Sequence, residues 1–393
     1  MKKIGVLGGS FDPVHIGHLL LAEQAIEEGN LDIVYFMPAH LQPFKLFGFS
    51  VTDNDRLEML KLSVKDNDGL AISKIELESE DVSFTYLTLC KLKRLYKKDT
   101  AIYFILGSDA FLNIKSWHKS KELLSEFRFM VGVRPGDDIS GLENFSNSLK
   151  TEYGTNIHII KNRQVDISSS EIRDRVNSEK TIRYMVPLSV KYYIERNGLY
   201  SDKVKLIKQF IKENISDSTR KEHIYSTAQE AAYLAEHWGA DVHKAYLAGL
   251  YHDIYKDTSK KEANELIKKI GLSGRYINNL NLAHAKLAAH MIPSLFGETD
   301  EAVINAVSYH TTGRENMSML EKVIYIADLI EAGRSYDGVD KLRVLAYTNI
   351  DSACMQGIIN TIEYLNDKGI EIDNDSLLAL EYFKKIIKGD KDD

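Results

Sequence analysis

The chain begins with a short apolar run, residues 4–7, that ends in the glycine pair Gly8-Gly9. Glycine lets backbone amides approach an anion without a Cβ in the way, so this pattern predicts a buried strand and a sharp turn. Apolar residues recur at helical spacing over residues 18–28, and helix N-termini attract phosphate oxygens. The turn is therefore predicted to bind phosphate through Gly8, Gly9, Ser10 and Phe11.

Two histidines, His15 and His18, lie three residues apart where this helix is predicted to begin. Both imidazoles are expected near one bound anion, where hydrogen-bond donors stabilise charge on a phosphoryl group. The turn lacks the lysine of a P-loop and does not follow the pattern Gly-x-Gly-x-x-Gly, so neither of those nucleotide-binding motifs applies to it.

Length and composition set the broad class of the protein. At 393 residues the chain is too long for one ordinary domain, and two are predicted. Its two cysteines, Cys90 and Cys354, form no disulfide framework, which fits a reducing, cytoplasmic compartment. No apolar run approaches the roughly 20 residues that span a bilayer, so no membrane partner is expected. The net charge of -7 argues against a general nucleic-acid binder. The sequence is compatible with a homo-oligomer but specifies none.

Strand-like and helix-like segments alternate over residues 1–200, which predicts an α/β domain with a doubly wound parallel sheet. The predicted strands are residues 3–7, 33–37, 71–73, 101–107, 127–133 and 157–160. Such sheets bind ligands at the carboxyl ends of their strands, so the opening turn and the loop after Gly107 are expected in one cleft. Residues 201–393 have helical patterns throughout and are predicted to form an all-α domain, with the boundary near residues 198–202.

Later segments of the first half carry further groups suited to a nucleotide. Serines in the run Ser168-Ser169-Ser170 leave amides and hydroxyls for a phosphate chain, and Arg173 one turn later can neutralise charge. A helix cap at Ser169 or Ser170 would explain the serines alone. The indole of Trp117 can stack on a pyridine ring. For the segment that contains Arg56, an amphipathic helix with a surface arginine is at least as good an interpretation as a functional one.

The first motif, with His15-Ile16-Gly17-His18, resembles the His-x-Gly-His signature of a nucleotidyltransferase superfamily. Residues 167–173 resemble its second signature, Ile-Ser-x-Ser/Thr-x-x-Arg. Residues 38–45, 83–89, 107–109 and 116–118 narrow the resemblance to the nicotinate-nucleotide adenylyltransferases. Two positions depart from that family's pattern, because Phe44 replaces a histidine and Leu87 replaces an aspartate.

This resemblance implies transfer of the adenylyl group of ATP, with magnesium, to nicotinate mononucleotide. Nicotinamide mononucleotide and phosphopantetheine are alternative acceptors. The implied contacts are His15 and His18 with the transferring phosphate, Lys45 and Arg173 with other phosphates, Ser169 and Ser170 with the triphosphate, Gly107, Ser108 and Asp109 with the nucleotide, and Thr85 and Trp117 with the pyridine side.

The second half places six metal-binding side chains on or near separate apolar helical segments: His223, His252, Asp253, His284, His310 and Asp328. Helical bundles build metal sites from histidines and carboxylates that project inward from facing helices. Six such groups suffice for two metal ions if Asp253 bridges them, which is more than one structural zinc requires. His237, His243 and His290 are expected to be surface or structural residues.

The order of these ligands resembles the HD phosphohydrolase superfamily, and residues 309–314, 317–322 and 326–334 resemble its symmetrical diadenosine-tetraphosphate hydrolases. The resemblance implies iron, although the ligand types also admit manganese, zinc or nickel. It implies hydrolysis of diadenosine tetraphosphate to two ADP. It assigns one metal to His223, His252, Asp253 and Asp328, and the other to Asp253, His284 and His310.

Around this site Lys256, Arg314 and Arg334 are predicted to contact phosphate. Two alternatives stay open for the second half. One is a different nucleotide phosphohydrolase, and the other is a regulatory module that binds nucleotide and metal without turnover.

Overall fold

The computed structural model describes residues 2–40, 49–79, 84–96, 99–161 and 165–389. The chain divides into two compact units, Met1–Tyr193 and Ile194–Asp393. This division falls inside the helix Leu188–Asn197, a few residues before the boundary predicted from sequence. The predicted phosphate ligand Lys45 lies outside the described residues. None of the described helices is long and apolar enough to span a membrane.

In the described part of the first unit, six strands form one parallel sheet. They are β1 (Lys2–Gly9), β2 (Ile33–Pro38), β3 (Leu70–Ile72), β4 (Thr100–Gly107), β5 (Arg128–Gly132) and β6 (Asn156–Ile160). Their order across the sheet is β3-β2-β1-β4-β5-β6, so the direction of winding reverses between β1 and β4. The predicted strands and the doubly wound sheet are confirmed. A crevice outside the carboxyl ends of β1 and β4 is where such a sheet binds ligands.

Helices connect these strands. They are α1 (Ile16–Gly29), α2 (Asp53–Val64), α3 (Thr85–Leu95), α4 (Ser108–Leu112), α5 (Ser120–Glu126), α6 (Ile139–Tyr153), α7 (Ser169–Asn177) and α8 (Leu188–Asn197). The cap of α7 is Ser168, whose hydroxyl accepts the amide of Glu171 at 3.1 Å. The alternative interpretation gave this role to Ser169 or Ser170, whose hydroxyls instead bond to the carbonyl of Pro13 and to the guanidinium of Arg173.

Arg56 on α2 is fully buried, so of its two interpretations the one with a surface arginine is wrong. Its guanidinium donates to the backbone carbonyls of Ser10 and Ala39, each at 2.7 Å, and to the carboxylate of Asp53 at 2.6 Å. A buried arginine is tolerated when acceptors surround it, and here the loops that follow β1 and β2 provide them. Arg56 therefore joins the first turn to the neighbouring strand end.

The described part of the second unit is helical, as predicted. Its helices are α9 (Asp202–Asn214), α10 (Ser218–Trp238), α11 (Val242–Tyr251), α12 (Lys260–Lys269), α13 (Leu280–Phe296), α14 (Glu301–Tyr309), α15 (Met319–Ile330), α16 (Val339–Thr348), α17 (Ile350–Asp367) and α18 (Asn374–Gly389). Buried alanines such as Ala228, Ala231 and Ala245 let α10 and α11 pack closely, because small side chains shorten the distance between helix axes.

Helices α10 and α11 approach each other closely at Gly249. A Cβ built on Gly249 would lie 2.4 Å from the Cα of Ala228, a separation that non-bonded atoms do not tolerate. Glycine is therefore required at this contact. The same contact brings His223 of α10 close to His252, which directly follows α11.

We predict that Gly249→Ala lowers the free energy of unfolding of the second unit by about 1–3 kcal/mol, the usual cost of overpacking a core. Urea unfolding followed by circular dichroism measures this change. Gly274→Ala is the matched control, because a Cβ at Gly274 meets no atom within 4 Å, and its effect should stay within about 0.5 kcal/mol. Equal destabilisation by the two variants would contradict the close helix contact.

Candidate active sites

A cavity of about 1410 Å³ lies at the carboxyl ends of β1, β4 and β5 in the first unit. Its lining contains most of the residues predicted for nucleotide binding: Gly8, Gly9, Ser10, His15, His18, Thr85, Gly107, Asp109, Trp117, Ser169, Ser170 and Arg173. Two predicted substrate contacts, Phe11 and Ser108, have fully buried side chains that do not line the cavity. The ring of Phe11 packs edge-on against His18 instead, with centroids 5.0 Å apart.

The two signature motifs contact each other directly at this cavity. The Ser169 hydroxyl donates to the carbonyl of Pro13 at 2.8 Å, and the Arg173 guanidinium donates to the carbonyl of Asp12 at 2.7 Å. Arg173 also donates to the Ser170 hydroxyl at 3.1 Å. The N-terminal turn of α7 therefore holds the loop that leads into α1, although more than 150 residues separate the two in sequence.

The imidazoles of His15 and His18 are stacked, with ring centroids 3.7 Å apart. The backbone amide of His15 donates to Nδ1 of His18 at 3.3 Å. Burial, helped by the charge of Arg134, lowers the pKa of His15 to about 4. Burial, His15 and Arg134 likewise hold the pKa of His18 well below its usual value. Both rings are therefore neutral near pH 7 and act as hydrogen-bond donors rather than as cations.

Sequence reasoning missed Arg134, which also lines this cavity. It follows β5, and its guanidinium lies 3.2 Å from the carboxylate of Asp109. Its charge reaches both histidines, as their lowered pKa values show. The position was open to prediction, because ligands of a doubly wound sheet bind beyond the carboxyl ends of its strands. Trp117 stands half-buried in the lining, with its ring edge-on to Phe104.

The second unit brings all six predicted metal ligands together. Helices α10, α13 and α15 carry His223, His284 and Asp328, His252 and Asp253 directly follow α11, and His310 directly follows α14. Among the described residues, two groups hold their ligand atoms within 4.8 Å of one another: His223, His252 and Asp328, and His252, Asp253 and His310. His290 is exposed and stands apart from them.

Asp253 lies at the centre, and its two carboxylate oxygens face different histidines. Oδ1 lies 3.1 Å from Nε2 of His284 and 3.6 Å from Nε2 of His310. Oδ2 lies 3.6 Å from Nε2 of both His223 and His252. Burial alone would raise the pKa of Asp253, but positive charge shared by the adjacent histidines would hold it well below its usual value. The Arg220 guanidinium, 2.5 Å from Oδ2, also favours the ionised carboxylate.

The hydrogen bonds of the four imidazoles indicate where their protons lie. Each Nδ1 atom is 2.6–3.1 Å from an oxygen that can only accept: the carbonyls of Gly249, Val307 and Leu280 and the carboxylate of Glu331. We therefore assign the proton to each Nδ1. For His284 this follows because the carbonyl of Leu280, at 3.0 Å, lies closer to Nδ1 than Nζ of Lys256 does, at 3.4 Å. The Nε2 lone pairs are then directed at the centre. Histidine ligands of metals are oriented in this way.

Lone pairs that face each other favour a cation or a hydrogen-bond donor beside them, and the Thr311 hydroxyl lies 3.3 Å from Nε2 of His284 and 3.2 Å from Nε2 of His310. The Nε2 atoms of His284 and His310 are 3.1 Å apart, and those of His223 and His252 are 3.2 Å apart. Asp328 lies 3.1 Å from Nε2 of His223 and favours positive charge there, whether from a proton or from a metal ion. The donor set therefore fits divalent metal ions that accept nitrogen and oxygen ligands.

Basic side chains surround these ligands. Arg220 donates to Oδ2 of Asp253 at 2.5 Å, Arg334 donates to Asp328 at 2.6 Å, and Nζ of Lys256 lies 3.4 Å from Nδ1 of His284. Sequence reasoning missed Arg220, although it is one helical turn before His223. The predicted phosphate contact Arg314 is held elsewhere, because it donates to both oxygens of the buried Glu321.

Comparisons with known proteins agree with the division of the chain into two units. Residues 6–175 match the family model described as cytidylyltransferase-like, and residues 220–333 match that of the HD domain. The chain thus combines a nucleotidyltransferase fold with an HD domain. Individual relatives identify the family more specifically than these family models do. By its similarity to them, the chain belongs to the nicotinate-nucleotide adenylyltransferase family.

Two of the relatives that carry that name illustrate the similarity. The probable nicotinate-nucleotide adenylyltransferase of Desulfitobacterium hafniense is 40% identical over 200 residues, which cover 51% of this chain and 96% of the relative. That of Exiguobacterium sibiricum is 40% identical over 199 residues, which cover 51% and 99%. A solved structure from Clostridium acetobutylicum, described as a predicted HD superfamily hydrolase involved in NAD metabolism, is 35% identical, with a TM-score of 0.45 and coverage of 46% of this chain and 97% of that one.

The buried His15 generates a prediction about pH. The unfolded chain binds a proton at this imidazole near pH 6.5 and the folded chain only near pH 4, so acidification through this window destabilises the first unit. Between pH 7 and pH 5 the loss from His15 should be about 2 kcal/mol. Trp238→Phe leaves Trp117 as the sole tryptophan, so its fluorescence during urea unfolding reports the first unit. In the Trp238→Phe background, His15→Gln should remove the His15 contribution to the loss of unfolding free energy between pH 7 and pH 5. If the pH dependence of that free energy were the same with and without His15, the lowered pKa would be contradicted.

Proposed function

We propose that the first unit transfers the adenylyl group of ATP to nicotinate mononucleotide, which yields the deamido form of NAD and pyrophosphate. The observation that carries the proposal is that α7 holds the opening loop through Ser169 and Arg173, beside the stacked pair of His15 and His18. Such an arrangement fixes several donors around one phosphorus before the reaction begins. Membership of the adenylyltransferase family supports this choice of substrates.

In the proposed reaction a phosphate oxygen of nicotinate mononucleotide bonds to the α-phosphorus of ATP. The bond from that phosphorus to the bridging oxygen breaks, and its electrons leave with pyrophosphate, so no covalent enzyme intermediate is needed. Neutral His15 and His18 donate N–H groups to the transferring phosphate, and Arg134 adds positive charge. Magnesium bound to the ATP phosphates would offset more of their charge.

The remaining groups of the cavity have proposed positioning roles. Backbone amides of Gly8, Gly9 and Ser10 approach the ATP phosphates together with the first turn of α7, where Ser170 lies. Gly107 and Asp109 contact the nucleotide. Thr85 and Trp117 flank the pyridine ring, on which an indole can stack for about 0.5–1.5 kcal/mol beyond area burial. A phosphate contact from Lys45 stays a prediction of the sequence.

We infer that the second unit hydrolyses diadenosine tetraphosphate symmetrically. The ligands gathered around Asp253 support metal-dependent phosphate chemistry, and the local strings of the sequence point to this substrate. Water adds to an inner phosphorus, the central P–O–P bridge breaks, and two ADP molecules result. When bound, two divalent metals, iron by the resemblance, would polarise phosphoryl oxygens and lower the pKa of water. Arg220, Lys256 and Arg334 supply positive charge for the polyphosphate.

The two activities should separate cleanly by mutation. His18→Ala removes a donor to the transferring phosphate and should lower kcat for adenylyl transfer by about 10²–10³ with little change in KM for ATP. Hydrolysis of diadenosine tetraphosphate should be unaffected. Asp253→Asn should abolish hydrolysis and leave adenylyl transfer intact. His158→Ala, at an exposed histidine paired with Glu28, is the control for both reactions.

Product identification by chromatography tests both proposals. Wild-type protein is incubated separately with ATP plus nicotinate mononucleotide, nicotinamide mononucleotide or phosphopantetheine, and with diadenosine tetraphosphate. Preference for another acceptor, or full turnover by His18→Ala, would overturn the first proposal. Metal-loaded protein that leaves diadenosine tetraphosphate intact would overturn the second and favour another phosphohydrolase substrate or a regulatory role.

Metal removal gives an independent prediction. After chelator treatment and desalting, Mg²⁺ alone should restore adenylyl transfer but not hydrolysis, because Mg²⁺ prefers oxygen ligands and the second site is rich in histidine. Added Fe²⁺ should restore hydrolysis. Release of ADP from diadenosine tetraphosphate measures this recovery, and full hydrolysis with Mg²⁺ alone would contradict the assignment of the ligands.

A further inference from the structure

Glu331 is a buried carboxylate that contacts one of the four histidines. It ends α15, is 3% exposed, and lies three residues after Asp328. Its Oε1 atom accepts a hydrogen bond from Nδ1 of His223 at 3.1 Å. Its Oε2 atom accepts the amide of Gly333 at 2.6 Å, and the hydroxyl of Ser226 also hydrogen-bonds to the carboxylate. These donors fix its orientation.

The contact distinguishes His223 from the other histidines. His252 and His310 donate from Nδ1 to the carbonyl three residues earlier, and His284 donates to the carbonyl four residues earlier. Each of those imidazoles is therefore oriented by its own helical segment. His223 is the one among them that depends on another helix, and its acceptor carries a full negative charge.

We propose that Glu331 is a positioning residue for the metal ion that His223 binds. It holds Nδ1 protonated, so that the lone pair of Nε2 points at the centre, and its charge makes that nitrogen a stronger ligand. Outer carboxylates of this kind typically contribute 10–100-fold to metal affinity. The inference rests on the proposed metal site and extends it to a residue that does not itself bind the ion.

The effect should be confined to one of the two metal positions. His223 faces Oδ2 of Asp253 and the carboxylate of Asp328, whereas His284 and His310 face Oδ1. The Arg334 guanidinium lies 3.8 Å from the Glu331 carboxylate but is already engaged by Asp328 at 2.6 Å, and Arg343 donates to the backbone carbonyl of Glu331 rather than to its carboxylate. Removal of the Glu331 charge is therefore felt at the position of His223 and not at that of His284.

Glu331→Gln tests the proposal, because glutamine keeps the shape and an acceptor but removes the charge. Binding of Mn²⁺ is measured by titration of the full-length protein, with the free ion counted by electron paramagnetic resonance. Wild-type protein should bind two ions. The variant should bind one of them 10–100-fold more weakly and the other within about twofold of wild type.

Two comparisons separate this role from a general effect on folding. Glu230→Gln is the matched control, since Glu230 is a half-buried carboxylate on α10, the helix of His223, but accepts from the hydroxyl of Tyr347 at 2.9 Å rather than from a histidine. It should bind Mn²⁺ as the wild type does. In a His223→Ala background, Glu331→Gln should have no further effect on Mn²⁺ affinity. In the presence of EDTA, the free energy of unfolding should be the same for the wild type and for Glu331→Gln.

Unchanged affinity for both ions, or equal weakening of both, would overturn the proposal. An additional loss in the His223→Ala background would do the same, because Glu331 would then act by another route. Failure of the proposed hydrolysis is distinguishable from these outcomes. Protein that leaves diadenosine tetraphosphate intact but loses affinity for one Mn²⁺ in Glu331→Gln would refute the substrate and support the role of Glu331.

Discussion

The arrangement of the second unit depends on how the buried, ionised carboxylate of Asp253 is compensated. An ionised group buried in a helical bundle is costly unless charge and hydrogen bonds compensate it. Here each oxygen faces a pair of imidazole nitrogens, and Arg220 adds a direct ion pair. The packing of the helices positions these groups. Helices α10 and α11 contact each other at Gly249, and His252 and His310 lie directly after α11 and α14, with their imidazoles near Asp253.

The cavity of the first unit is suited to phosphate through hydrogen-bond donors and arginine charge rather than through metal-binding side chains. Its histidines are kept neutral by burial, and its positive charge comes from arginines at the edges of the cavity. Arg56 and Arg173 donate to backbone carbonyls of the opening loop, so much of the charge near this loop serves to fix its shape. Preorganised donors cost no rearrangement when charge develops on a transferring phosphate. One chain thus contains a site shaped by hydrogen bonds and another shaped by histidines and carboxylates that could hold metal ions.

Repetitive features of the fold were predictable from sequence, and interactions between distant segments were less so. Apolar runs that end in glycine located β1 and β4, because a short continuous apolar run followed by a turn residue is typical of a buried parallel strand. The resemblance to the two nucleotidyltransferase signatures assigned motif residues such as His18 and Ser169 to one nucleotide site, and both line the same cavity. For Arg56 a surface position was one of two interpretations, since helical spacing cannot reveal that carbonyls of other segments surround it.

The metal ligands could be recognised because histidine and aspartate on apolar helices are unusual in themselves. The residues that orient them carry no such signal. Glu331 resembles any acidic residue at a helix end, and only the fold shows that Nδ1 of His223 lies beside it. Arg134 was missed because a single arginine in a loop is common, although its position after β5 favoured a ligand contact.

Anomalous X-ray scattering from crystals of the manganese-loaded protein tests the central claim most directly. The arrangement around Asp253 predicts two anomalous peaks, one on the Oδ1 side with His284 and His310 and one on the Oδ2 side with His223 and Asp328. A single peak, or metal bound away from Asp253, would contradict the two-metal centre.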